Sequence, residues 1–374
     1  MEFPVYTRIG PELVSGCGVT VRDGHGREYI DFYGGHAVAS LGYSHAGLSQ
    51  AISAQAKDLV FQSNAIEVPV RTRAVERLVG QLPSGVDHVL LVNSGAEANE
   101  NALRLALTHT QRLRVTALRG AFHGRTAAAA AITDGSTSWY GFPNRPFEVD
   151  WLEPEDLDGL ESAVTDQTAA FIFEPVQGVA GARTLSTEFV QAARRRCTET
   201  GALMIADEVQ TGAGRCGTFF AIEALRVIPD ILTAAKGLAG GFPIGATCAG
   251  SELCKDLPKG SYGTTFGGGP MACAAMDITI KAVSRPAFLA NVNRISQRLM
   301  TETRGGVVRS VSGRGLLIGL HTIRPSRDVR AELLDAGFIT GDAKDPNVVR
   351  LLPPLVIDDA AVDTFLAALR KVPA

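Results

Sequence analysis

A chain of 374 residues with 36 Lys and Arg against 39 Asp and Glu carries a formal net charge of −3. That is the length of two or three domains, and the absence of a basic excess argues against a phosphate-backbone binder, so no nucleic-acid partner is expected. With 45% hydrophobic and 20% charged residues a disordered chain is excluded, while no apolar run reaches the ~20 residues of a membrane span.

The chain opens without an apolar secretory region before Gly16, which reads as a cytoplasmic protein. Six cysteines scattered without CxxC spacing read as reduced thiols. Residues 1–64 hold a strand-like stretch from Gly18 to Ile30, a glycine-rich loop, and a helix from about His45 to Phe61. From 65 to 285 short apolar runs alternate with amphipathic stretches. Val86–Val92 reads as a strand, and Ala96–Leu107 as a helix with Ala98, Ala102, Leu105 and Ala106 on one face. Further strands are predicted at Ala169–Phe173, Ala202–Ala206, Ile231–Ala235 and Ile244–Ala249, with a helix over Glu188–Thr200. Strands that read as continuous apolar runs and are separated by helices imply a mostly parallel sheet covered on both faces. The fold class is therefore α/β, a large domain over 65–285. Residues 286–374 follow an α+β pattern: strands at Val307–Val311, Leu316–His321 and Val348–Leu352, helices at Arg327–Ala336 and Asp359–Val372. Residues 1–64 and 286–374 are expected to pack as one small domain.

Four segments carry chemistry. Asn93-Ser-Gly-Ala-Glu follows a strand and opens a helix. A helix start offers free N–H groups and a positive dipole end to an anion, although by itself it also reads as an ordinary N-cap. Asp207 and Glu208 end another strand, at the edge where open α/β sheets bind ligands. A structural ion pair is the plain alternative; a metal is not expected, since no His or Cys sits at ligand spacing nearby. Lys236 ends a third strand before Gly237, where a desolvated lysine becomes a nucleophile toward carbonyls, or else snorkels to the surface. Gly263-Thr-Thr-Phe-Gly-Gly-Gly-Pro270 adds hydroxyls and another helix start. Together a phosphate cradle, a buried acid and an activated lysine on successive strands fit one cofactor, pyridoxal 5′-phosphate. The surplus of glycine, 40 residues of 374 against roughly 7% in ordinary chains, belongs where backbone approaches such a ligand closely.

At these residues the chain resembles the class III aminotransferases, in their acetylornithine and ornithine aminotransferase subgroup. The resemblance is carried by NSGAEANENALRLA (93–106), AFHGRT (121–126), FEPVQG (173–178), ADEVQTGAGRCG (206–217), AAKGLAGGFPIGA (234–246), TTFGGGP (264–270) and VVRLLPPL (348–355), and it spans nearly the whole chain. It implies the aspartate-aminotransferase-like fold, fold type I, and an active site shared between the subunits of a homodimer. By position it makes Lys236 the imine-forming lysine and proton shuttle and Asp207 the partner of the pyridine nitrogen. Gln210 is implied at the phenolic oxygen, Phe122 on the ring face with His123 close by, and Ser94, Gly95 and Ala96 at the phosphate. Thr265 is implied at the phosphate of the neighbouring subunit. Arg125 and Arg350 match carboxylate-binding arginines, a task that suits a bidentate fork.

The chain departs from the family pattern in places. Val179 stands where an acid usually pairs with the C-terminal arginine, leaving Arg350 either available to carboxylates or paired elsewhere. His36 stands where ornithine aminotransferases carry a substrate-binding tyrosine, which argues against free ornithine. Ala96 and Gly269 replace the usual Thr and Asn. The implied reaction moves an ω-amino group, from N-acetylornithine, N-succinylornithine or a related lysine-pathway intermediate, to 2-oxoglutarate. It yields a semialdehyde and glutamate in arginine or lysine biosynthesis. Alternatives are another ω-aminotransferase (4-aminobutyrate, diamine or β-amino acid) and a cofactor-dependent aminomutase.

Overall fold

The computed structural model describes residues 3–6, 8 and 10–374. A seven-stranded sheet crosses the molecule in the order His88–Val92, Gly245–Ala249, Ile231–Ala234, Leu203–Asp207, Thr168–Phe173, Arg114–Leu118, Glu148–Leu152. Gly245–Ala249 pairs antiparallel with both neighbours, and the remaining pairs are parallel. Thr168–Phe173 is buried along its whole length, as a strand covered on both faces must be. The helix Gly95–Thr110 lays Ala98, Ala102, Leu105 and Ala106 against this sheet, the face that the apolar spacing predicts.

Three smaller sheets complete the chain. Leu13–Cys17, Thr20–Asp23 and Glu28–Asp31 form a meander, so the strand-like stretch Gly18–Ile30 is two strands and a turn rather than one. Asp23 makes that turn, its Oδ1 accepting from the amides of His25 and Arg27 at 2.9 Å each. Glu28–Asp31 pairs in parallel with Phe338–Ile339, joining the two ends of the sequence. Val308–Arg314, Leu317–Thr322 and Val348–Leu351 form an antiparallel sheet that carries Arg350. Phe32 stacks on Phe365 with ring centroids 4.2 Å apart, inside a core of residues from 292 to 372. The fourth sheet is the hairpin Val176–Gln177 with Arg183–Thr184. Among the described residues all six cysteines are free, and no helix is long and apolar enough to cross a membrane.

Candidate active site

The carboxyl ends of the parallel strands converge on a cavity of about 470 Å³, the place where open α/β sheets bind ligands. Each strand end delivers one part. Leu203–Asp207 delivers Asp207, Ile231–Ala234 leads into Lys236, His88–Val92 leads to the helix start at Gly95, and Arg114–Leu118 leads to the loop of Phe122, His123 and Arg125. Ser94, Gly95, Ala96 and Gln210 line the same cavity.

Asp207 is buried and fully engaged. Its Oδ2 accepts from Asn99 Nδ2 and from His123 Nδ1, both at 2.7 Å, and its Oδ1 accepts from the Val209 amide at 2.9 Å. The adjacent acid goes the other way, since neighbouring strand residues point to opposite faces. Glu208 is wholly buried, taking the Ile222 amide on Oε1 at 2.6 Å and the Thr211 hydroxyl on Oε2. The two adjacent acids therefore have different surroundings, Asp207 at the cavity and Glu208 away from it. Burial pushes the Glu208 pKa up from 4.5 to about 7. The folded state therefore keeps a proton that the unfolded chain releases, and stability is lost as pH rises through this window. Glu208→Gln should flatten that decline: between pH 5 and 8 the fall in Tm of the native protein should exceed that of the variant. Parallel curves would show that Glu208 does not titrate there.

His123 has no exposed side-chain surface. Burial pulls its pKa down, but the bond and charge of Asp207 outweigh it, and the net direction is up. Its Nε2 is buried with no hydrogen-bond partner among the described residues. His123, Glu174 and Asp207 each bring a ligand-capable atom within 4.8 Å of the others. The sequence shows no histidine near Asp207 at ligand spacing; the fold supplies one from 84 positions away. Of the three, only Asp207 and His123 are hydrogen-bonded to each other; Glu174 Oε1 instead accepts from the Phe122 amide at 3.4 Å.

Lys236 stands at φ +47°, in the left-handed region that costs a non-glycine residue about 1–2 kcal/mol. Such strain persists where surrounding structure imposes it, often at functional sites. Burial lowers the lysine's pKa, against the opposing charges of Asp207 and Glu174. Glu174 is pushed up by the same burial, and its Oε2 has no hydrogen-bond partner among the described residues.

At the helix start, Ser94 Oγ accepts from the Glu97 amide at 3.2 Å and Ser94 O from the Ala98 amide at 3.1 Å. The first turn of a helix has amides with no intrahelical partner, which leaves those of Gly95 and Ala96 at the cavity wall. A side chain at Gly95 would sit 2.5 Å from Val209 Cγ1, so glycine lets this helix end press onto the strand loop. Gly178 similarly leaves the space that Gln210 Oε1 occupies. Gln210 Nε2 donates to the His36 carbonyl at 3.3 Å.

Arg350 is 4% exposed. Its Nε donates to the Asp342 carbonyl, and its Nη1 is buried with no hydrogen-bond partner among the described residues. Val179 offers it no charge; the Val179 carbonyl instead accepts from the Lys344 amide at 2.9 Å. Arg125 is exposed at the cavity wall. His36 lines an adjoining cavity of about 840 Å³ with Tyr33, Arg330 and Asp342. Thr265 is exposed on its loop and is not among the residues lining the cavity.

Residues that received no role from the sequence complete the site. Asn99 is a hub, donating to Asp207 and to the His123 carbonyl at 2.8 Å and accepting from Thr233 Oγ1 at 2.7 Å. Its signal is a polar residue beside the apolar face of the predicted helix. Glu174 follows the buried strand Thr168–Phe173 just as Asp207 ends its own.

The cofactor implied by these residues can be tested against the donor set. Two open amides at a helix start suit a phosphate. A buried carboxylate backed by His123 and Asn99 suits a ring nitrogen that must stay protonated, and an amine with lowered pKa suits an aldehyde. The residues fit pyridoxal 5′-phosphate.

Comparison with known proteins agrees. The family model "Aminotransferase class-III" matches residues 9–372. The [LysW]-aminoadipate semialdehyde transaminase of Deinococcus radiodurans is 40% identical, over 98% of this chain and 87% of that protein. The acetylornithine aminotransferase of Streptomyces coelicolor is 41% identical, over 96% and 89%. An ornithine aminotransferase structure from Toxoplasma gondii, described with partial occupancy of PLP at its active site, superposes with a TM-score of 0.90 at 29% identity, covering 98% of this chain and 90% of that one.

Proposed function

The chain belongs to the class III aminotransferases, enzymes dependent on pyridoxal phosphate, and from that membership we propose that it transfers the ω-amino group of an N-acylated ornithine, N-acetylornithine first, to 2-oxoglutarate. The observation that carries this reading is a pair of guanidinium groups with unused donors, Arg125 on the cavity wall and Arg350 with its orphaned Nη1. Both donor and keto acid are carboxylates, and each needs a fork of this kind.

When bound, pyridoxal phosphate supplies an aldehyde to take up the amino group and a ring to accept the electron pair left at the substrate carbon. The protein's residues do the rest. The Gly95 and Ala96 amides hold the phosphate, Phe122 covers a ring face, and Gln210 meets the phenolic oxygen. Asp207 holds a proton on the ring nitrogen, kept in place by His123 and Asn99. Lys236 Nζ, favoured in its neutral form by burial, carries the proton to and from the substrate carbon. Arg125 clamps the donor's carboxylate and Arg350 takes the α-carboxylate of 2-oxoglutarate, with His36 beside them. A homodimer completes the site, Thr265 of each subunit reaching the other's phosphate; Phe61 and Phe266, 5.3 Å apart and 40% and 66% exposed, form the apolar patch such an interface would cover.

A second reading, a lysine-pathway intermediate as donor, draws on the D. radiodurans relative and on the 840 Å³ cavity beside His36, which has room for an extended tail. A donor panel with 2-oxoglutarate, following glutamate release, tests both. N-acetylornithine or N-succinylornithine should exceed 4-aminobutyrate and simple diamines in kcat/KM; the reverse order would overturn the proposal, as would turnover that continues without the keto acid. Arg350→Ala should raise KM for 2-oxoglutarate by roughly tenfold to a hundredfold, the value of a charged hydrogen bond, and alter KM for the amine much less.

A further inference from the structure

Arg125 makes no hydrogen bond or ion pair with any described residue. Two ring faces hold it instead: its guanidinium carbon lies 4.8 Å from the ring centroid of Trp139 and 5.7 Å from that of Phe122. A planar guanidinium stacked on rings keeps its N–H groups free in its own plane, open to a bidentate carboxylate. The sequence has only two tryptophans, and this one is 39% exposed, an unfavourable place for an indole with nothing to hold.

The loop that presents Trp139 is tied to the segment carrying Arg125. Tyr140 Oη donates to the Ala127 carbonyl at 2.9 Å, and the Trp139 amide to the Ser136 carbonyl at 2.9 Å. Upstream, Asp134 accepts from the Gly120 amide at 3.0 Å and from Lys344 Nζ at 2.9 Å. Ring and guanidinium are therefore mounted on one framework, and their contact does not depend on a mobile arm.

We infer that Trp139 is a positioning residue that holds the Arg125 guanidinium in the orientation that receives the donor's carboxylate, and so sets the preference for carboxylate-bearing amines. This rests on Arg125 being the donor clamp. Ordering a long side chain beforehand removes an entropy cost that binding would otherwise bear, and the effect belongs in KM, since Trp139 does not line the cavity that holds Lys236.

The experiment compares Trp139→Ala, Trp139→Phe and Arg125→Ala in the cofactor-loaded enzyme, on N-acetylornithine and on N-acetyl-1,4-diaminobutane, the same chain without its carboxylate. Trp139→Ala should raise KM for N-acetylornithine roughly threefold to tenfold, the scale of one cation–π contact. Its kcat, and kcat/KM for the donor without a carboxylate, should stay within twofold of the native values. Trp139→Phe should recover most of the loss, and Arg125→Ala should exceed it. If Arg125→Ala leaves KM for N-acetylornithine unchanged, the clamp itself is wrong and the inference goes with it. If Arg125→Ala raises it but Trp139→Ala does not, or if Trp139→Ala weakens both donors equally, the clamp stands and the role of Trp139 is overturned.

Discussion

Lys236→Ala is expected to lower kcat by on the order of 10⁴-fold or more, the upper range for loss of a positioned proton carrier, and to abolish the visible absorbance that reports cofactor held covalently. Folding should be nearly untouched. The Nζ of Lys236 has no hydrogen bond or ion pair among the described residues, so truncation breaks no partnership. It also removes an amine whose burial disfavours its charged form. The backbone at φ +47° is strained with either side chain, so alanine neither gains nor loses there. Steady-state kinetics, an absorbance spectrum and a melting curve of the cofactor-free protein separate these effects. Turnover retained within tenfold would remove Lys236 from the chemistry, and a large fall in Tm would make its role structural.

Asp207→Asn should lower kcat by roughly 10²–10³-fold, the scale seen when one group aimed at developing charge is removed. The change is nearly isosteric but takes away the negative charge that raises the His123 pKa against burial. An amide oxygen can still accept from both His123 Nδ1 and Asn99 Nδ2, now 2.7 Å from Asp207 Oδ2, but the amide nitrogen then faces the Val209 N–H that Asp207 Oδ1 accepts at 2.9 Å, two donors with no acceptor between them. The His123 titration, followed by NMR, should therefore move down in the variant. Activity within tenfold of native together with an unmoved His123 would show that Asp207 tunes neither the ring nor the histidine. Loss of activity with an unmoved histidine would confine the acid's effect to the cofactor.

Much of the framework was legible because it rests on local rules. Apolar runs mark Thr168–Phe173 and Leu203–Asp207 as buried strands, and the face of Ala98, Ala102, Leu105 and Ala106 marks the helix between Gly95 and Thr110. The Gly18–Ile30 stretch holds its own break, Asp23-Gly-His-Gly26, with no apolar residue between Val21 and Tyr29; there Asp23 makes the turn by accepting from the amides of His25 and Arg27. Asp and Gly are turn residues for a physical reason, the Asp side chain bonding to backbone just beyond it, so this turn was legible, and reading one strand across it passed over a local signal. Gly245–Ala249 reads as one more buried strand, but periodicity is blind to direction, and its reversal shows only in the pairing with Ile231–Ala234 and His88–Val92.

By itself, the sequence determined the α/β class, the cofactor's chemistry and the positions of Lys236, Asp207 and the helix start, because a strand end is a local feature and strand ends in such sheets share one edge. Tertiary structure decided the partners of the two acids, setting Asp207 against His123 and Glu208 against Thr211 and the Ile222 amide. It also brought Asn99 to Asp207 across 108 positions and laid Trp139 over Arg125. Those contacts depend on side-chain directions and on distances between elements remote in the chain, which periodicity and local propensity do not encode.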